Sequence, residues 1–556
     1  MRFILLFLIH LFFLNSFTFT QPTPKNWMHL GHDQGYYGTN AIKAYEELLQ
    51  DKTPRRVVVA VIDSGIDISH EDLGDNIWIN TKEIPDNGID DDGNGYIDDV
   101  NGWNFIGGPD GSHVDGETLE VTRLYAHYRQ KFENVNPLTL ADKEKKVYAY
   151  YLKYKREVER EQEKAREALE RLEPVISTVI ASLEAMNDVF PEGFFTLEDL
   201  DEVEPDNQLI MIGKSILQQV TGDAESDTLV LDEIIGMISQ ELQSEEKYYN
   251  TKLNYQYNPD FDSRSTIVQD NYEDSYEMYY GNNDVIGPDA RHGTHVAGII
   301  GAIRNNGIGM DGIADFVEIM VIRAVPDGDE RDKDVANAIR YAVDNGASIV
   351  NMSFGKGYSW DKDVVDDAVK YADKKGVLLV HAAGNSAQNN DIHNNFPNPR
   401  YNKTGFFLWP KKEAKNWIEV GAISYQGGED LVASFSNFGK KTVDIFAPGA
   451  GIYSTVPDNR YEFLQGTSMA APVVSGVAAV LMSYFPELTA KQVKEIILSS
   501  NQPIDFQVKV PGTTSMADFS QLCKTGGVIN MHNAVTKAMN TKGKKKKIKR
   551  TGSIRA

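Results

Sequence analysis

Carboxylates outnumber lysines and arginines 81 to 56 in this 556-residue chain, and the resulting net charge of −25 excludes a nucleic-acid polyanion as the main partner. With 41% hydrophobic and 25% charged residues, the composition is that of a globular protein of several domains rather than a disordered chain. The single cysteine, Cys523, excludes an intrachain disulfide, so an exported chain of this kind needs another clamp, and bound metal ions are the usual one.

The chain begins with Arg2, an apolar run over 3–9 and 11–14, and small polar residues up to Gln21. A basic start, an apolar stretch too short to span a bilayer comfortably and a small-residue zone read as a signal peptide over 1–20. The mature protein is therefore expected to be secreted or periplasmic. A retained anchor is the alternative, weakened by His10 inside the run. No second apolar run reads as membrane-spanning, so no integral membrane segment is expected in the mature chain.

After a short lead-in, residues 56–62 form a β-branched run typical of a strand buried on both faces, and it ends at Asp63-Ser64-Gly65. A carboxylate at the C-terminal end of a central parallel strand faces the crevice where α/β proteins bind ligands, although a structural Asp turn explains it as readily. The stretch 86–99 then alternates oxygen-bearing side chains at Asp90, Asp92 and Asn94, with Gly95 permitting a sharp turn and Asp98 following. This matches the first half of an EF-hand calcium loop, in which Tyr96 would contribute its carbonyl. Asn101 stands where the closing bidentate Glu belongs, so the reading is a calcium loop outside the EF-hand fold, against an acidic solvated turn.

The texture changes over 117–246. Val147, Tyr151, Tyr154, Val158, Ala165, Leu169, Leu172, Ile176, Val179, Leu183 and Met186 recur at spacings of three and four, with a gap at Glu161. This predicts a long amphipathic helix with a near-heptad seam, which Pro174 either kinks or divides. Two further helical patterns follow, at 209–220 and 229–242. The segment reads as an all-α insertion of about four elements without chemistry of its own, though it offers a surface for a partner.

From about 290 to 540 strands and helices alternate, which implies parallel βαβ units and a doubly wound, mainly parallel α/β sheet. The expected organisation is a first part of this domain over 21–116, the helical insertion over 117–246, the remainder over 247–540, and a basic disordered tail over 541–556. Within it, Arg291-His292-Gly293-Thr294-His295 opens a small-residue helix, residues 377–385 end a strand in Ala383-Gly384-Asn385, and Gly466-Thr467-Ser468-Met469-Ala470-Ala471-Pro472 opens an apolar helix. Taken alone, Ser468 is as readily a helix cap as a nucleophile favoured by the helix dipole. His292 and His295, three apart, also admit a metal pair on one helix face, but a third ligand with suitable spacing is not evident.

Asp63, His292 and Ser468 occur in that chain order, and the segments around them resemble the three catalytic motifs of the subtilisin-like serine proteases. The resemblance covers roughly 26–116 and 250–540 and implies a subtilisin-like fold. It implies a serine endopeptidase in which Ser468 attacks, His292 is the base and Asp63 orients it, with protein or peptide substrates. By the same resemblance Asn385 is the side-chain oxyanion donor, His295 a supporting residue, and Ser353, Phe354 and Gly355 the segment that pairs with substrate and lines the P1 pocket. The alternative is an inactive or regulated binding protein of the same fold that docks a partner through the insertion. The separation of 229 positions between Asp63 and His292 departs from the compact members of the family. The stretch before Asp63 is also too short for the propeptide that many relatives use to fold. Calcium is the expected structural cofactor.

Overall fold

The computed structural model describes residues 23–222, 228–402 and 412–544. The signal peptide expected at 1–20 and most of the tail expected over 541–556 lie outside them.

Residues 57–63 are extended because β-branched side chains fit a pleated surface, and they bury both faces. Val57, Val59 and Val61 of this strand, β1 (Val57–Asp63), join one apolar cluster, while Ala60 and Ile62 join a second on the opposite face. Around it stand β2 (Gly102–Asn104), β3 (Val317–Arg323), β4 (Ile349–Met352), β5 (Leu378–Ala382), β6 (Trp417–Ile423), β7 (Ile445–Pro448), β8 (Gln502–Pro503) and β9 (Gly527–Val528). They form a nine-stranded sheet in the order β8-β9-β7-β6-β5-β4-β1-β3-β2. Every neighbouring pair is parallel except β8 with β9 at the edge.

Helices cover both faces, as a parallel sheet requires. Helices α1 (Arg291–Gly301) and α4 (Thr467–Tyr484) pack into the cluster that holds Val57, whereas α2 (Asp332–Asp344) and α3 (Lys362–Lys375) pack into the one that holds Ile62. The doubly wound sheet is thus the one expected. Helix α4 is long and apolar enough to cross a membrane, contrary to the reading of the sequence, but it is a core helix, buried over nearly its whole length. β1 lies between β3 and β4, so the C-terminal ends of the central strands place Asp63 and Ser353 along one sheet edge, with Asn385 three residues beyond the end of β5.

A second compact unit, Val121–Phe261, is helical except for the short pairing of Phe194–Phe195 with Leu229–Val230. The boundary expected at 246 falls inside the helix Leu231–Thr251, whose Tyr249 still packs against the apolar cluster that holds Leu242. The helix Asp142–Val189 runs 48 residues, and Tyr151, Val158, Ala165, Leu172, Val179 and Met186 are buried along it at heptad spacing. Its second half packs with Gln208–Thr221 and Leu231–Thr251 in one apolar cluster. Pro174 neither ends nor divides this helix. It sits on the exposed face, where the carbonyl it leaves unpaired one turn earlier reaches water.

Candidate active site

Asp63 is the last residue of β1 and is almost fully buried. Its Oδ1 accepts from the Ser64 N–H at 2.8 Å and faces His292 Nδ1 at 2.7 Å. His292 is the second residue of α1, and Gly293 beside it lets that helix approach closely. A Cβ there would lie 2.1 Å from the Gly65 carbonyl oxygen. The imidazole is 40% exposed against 3% for its carboxylate partner. Burial pulls its pKa down, but the charge of Asp63 and its hydrogen bond more than offset this, so His292 titrates above the ordinary histidine value.

The other histidine of that helix behaves differently. His295 Nε2 lies 3.0 Å from the Ile452 carbonyl and 3.1 Å from that of Glu462, so it must carry the proton and donate. Burial first, then the neighbouring positive groups, push its pKa down to about 3. Among the described residues, the two rings do not join a third His, Cys, Asp or Glu in a group that could hold a metal ion. His295 instead ties α1 to the hairpin Ile452–Val456 and Arg460–Leu464.

Gly466, not Ser468, is the N-cap of α4, and Ser468 is the second residue of the helix. The cap explanation therefore fails: the serine caps nothing, and its N–H has no intrahelical acceptor. Its hydroxyl donates to the Ser353 carbonyl at 3.0 Å rather than to His292, and the Ser353 hydroxyl donates to the Ser468 carbonyl at 2.8 Å. Asn385 Oδ1 accepts from both the N–H and the hydroxyl of Thr467, at 2.8 and 2.9 Å. Because an N–H can only donate, this fixes the amide and turns Nδ2 the other way. A methyl group on Gly466 would stand 3.3 Å from Asn385 Nδ2 and 3.5 Å from Ser468 N, so both donors border one small space that the glycine leaves open. The role of Thr467 in aiming Asn385 was not legible in the sequence, since a threonine one residue before a serine has no distinctive spacing.

Phe354 and Gly355 follow Ser353 at the end of β4. Gly355 is exposed, and among the described residues its backbone N–H and carbonyl pair with nothing. The 86–99 loop differs in part from its expected ligand set. Asp90 and Asp92 each bring a carboxylate oxygen within 4.8 Å of the other and of Glu83, which lies outside the loop motif. Glu83 Oε2 is buried without a hydrogen-bond partner, while its Oε1 accepts from the Asp92 N–H at 3.0 Å. Lys82 meets Asp92 Oδ2 at 3.1 Å. Asp98 instead turns its carboxylate onto the N–H groups of Asn87 and Gly88, and Asn94 Oδ1 accepts from the Tyr96 N–H. The Tyr96 ring packs edge-on against Trp103 and Tyr341 in the core. Three converging carboxylates with one buried orphan oxygen fit a hard cation, through a donor set that exchanges Asp98 for Glu83.

The comparisons agree with this architecture. The thermophilic serine proteinase of Bacillus sp. (strain AK1) is 36% identical over 279 residues, 50% of this chain and 58% of that protein. Thermitase of Thermoactinomyces vulgaris is 36% identical over 226 residues, 39% of this chain and 72% of its own length. The thermostable alkaline protease of Halalkalibacterium halodurans is 35% identical over 224 residues, 40% of this chain and 54% of that protein. The matched stretch thus spans little more than half of the first and third of these relatives. The sequence model of the subtilase family matches residues 55–519, from the start of β1 through α4 and beyond, and the chain belongs to that family.

Proposed function

We propose that this chain is an exported serine endopeptidase that cleaves peptide bonds through an acyl-enzyme at Ser468, stabilised by calcium. The observation that carries the reading is the 2.7 Å pairing of His292 Nδ1 with the buried Asp63 carboxylate, which leaves Nε2 of the half-exposed ring as the atom that takes the proton. Rotation of the Ser468 hydroxyl away from the Ser353 carbonyl would present it to that nitrogen. The serine then attacks the scissile carbonyl, His292 holds its proton and returns it to the leaving amine, and Asp63 stabilises the imidazolium. The oxyanion that develops is received in the space bordered by Asn385 Nδ2 and Ser468 N. The unpaired backbone of Gly355 supports pairing with an extended peptide. Cleavage of a denatured protein substrate by the purified chain, absent in Ser468→Ala, tests the reading; equal cleavage by both would overturn it.

Glu83, Asp90 and Asp92 would hold the calcium ion, which supplies positive charge that ties the loop to the preceding segment. An ion that binds only the folded chain at about 100 times its dissociation constant stabilises it by roughly 2.7 kcal/mol. Calcium is therefore expected to raise the thermal midpoint, and Glu83→Gln to reduce that rise. A midpoint indifferent to calcium in the parent would contradict this. Chelation is expected to inactivate slowly, following loss of stability, rather than at once.

A further inference from the structure

In the charge-rich run Asp327-Gly328-Asp329-Glu330-Arg331-Asp332-Lys333-Asp334, residues 330–334 are 6% exposed or less. Lys356, one residue beyond Gly355, is itself 4% exposed, and its ammonium group meets Glu120 Oε2 at 2.7 Å, Asp332 Oδ1 at 2.9 Å and the Glu330 carbonyl at 2.6 Å. Glu120 is the residue immediately before the helical unit. Three residues earlier, Glu117 accepts from Arg331 at 3.0 Å and from Ser263, which follows the helical unit in the chain. Both stems of the insertion are thus fastened to one buried charged loop, and that loop is fastened to Lys356.

From Lys356 the connections run to the candidate site. Its N–H and carbonyl both pair with Phe396, at 2.9 Å each. The adjoining Asn395 donates to the carbonyls of Ala382 and Ala383, at 3.0 and 3.1 Å, at the end of the strand that leads to Asn385. A Cβ on Gly355 would stand 2.5 Å from Asn395 Oδ1. Asp332 also accepts from Ser359 Oγ at 2.6 Å and from the Asp361 N–H at 2.7 Å, holding the chain beyond Lys356. Burying an ammonium group among carboxylates costs so much desolvation that such a cluster is weak support for stability alone. What it supplies is a fixed position.

We infer that Lys356 is a positioning residue: through Glu120 and Asp332 it sets the segment of Ser353, Phe354 and Gly355 against the stems of the insertion, so that an extended peptide is held in register for Ser468. This rests on the protease reading. The test compares the full-length parent, Glu120→Gln and Lys356→Met with two acyl substrates. One is a peptide amide with four residues on the acyl side, which needs the segment, and the other is p-nitrophenyl acetate, which does not. In both variants kcat/KM for the peptide is expected to fall about tenfold, while the acetate rate stays within about twofold of the parent. Equal loss with both substrates would mean a merely structural role and would overturn the inference, as would an unchanged peptide rate. Should Lys356→Met fail to fold, the near-isosteric Glu120→Gln decides. Labelling of the parent at Ser468 by a fluorophosphonate separates the two levels, because its absence overturns the protease reading and this inference with it.

Discussion

At the scale of single residues, the balance on His292 sets the pH dependence that the proposed mechanism predicts. Its folded pKa lies above the ordinary histidine value because Asp63 outweighs the burial of the ring, and in the proposed mechanism only the neutral ring accepts the proton of Ser468. Activity is therefore expected to be full at alkaline pH and to fall as pH drops through a value raised above that of a free histidine, as a profile of kcat/KM against pH would show; an acid limb below the free-histidine range would contradict the pairing. In the proposed mechanism Asn385 makes a second, separable contribution. Its Oδ1 is committed to Thr467, so Asn385→Ala removes a fixed donor without disturbing the pair on Asp63. It should lower kcat by about 100- to 1,000-fold with little change in KM. These residues were legible because each lies at the end of an element in a short contiguous motif: Asp63 ends β1, His292 opens α1 and Ser468 opens α4. Glu83 was not, because what joins it to Asp90 and Asp92 is the path of the chain in space rather than a spacing along it.

At the scale of elements, the helical insertion shows how far periodicity reaches. Of the seam from Tyr151 to Met186, Tyr151, Val158, Ala165, Leu172, Val179, Leu183 and Met186 are buried, while Tyr154, Leu169 and Ile176 are half-buried. Whether Pro174 ends the helix could not be read from the period, since the pattern continues on both sides of it. What decides is that the proline faces solvent, where the lost hydrogen bond is replaced by water. Leu172, on the buried face, packs in the cluster with Val179, Leu183 and Ile216. Leu172→Ala is expected to destabilise the insertion by roughly 2–5 kcal/mol, measurable as a lower urea midpoint, with the solvent-facing Glu173→Ala close to neutral. Equal effects of the two would contradict the assignment of the buried face. The charged run 327–334 carries no spacing that marks residues 330–334 as buried, because its partners, Glu117, Glu120, Arg264 and Lys356, arrive from distant parts of the chain.

At the scale of the whole molecule, the alternation of strands and helices made the parallel sheet legible, but not the strand order. That β1 runs between β3 and β4 depends on crossovers that no local pattern encodes. The order matters because it brings residues far apart in the chain to one edge: Asp63 at the end of β1, Ser353 at the end of β4 and Asn385 just past β5. In the proposed mechanism this edge works as one acyl-transfer site with Ser468 as its nucleophile. The most direct measurement is the rate of covalent labelling by a fluorophosphonate, located by mass spectrometry of the peptides, in the parent and in His292→Ala. A single adduct on Ser468 is expected in the parent, with labelling slowed at least 1,000-fold without His292. An adduct elsewhere, no adduct, or labelling of Ser468 at the parent rate in His292→Ala would contradict it.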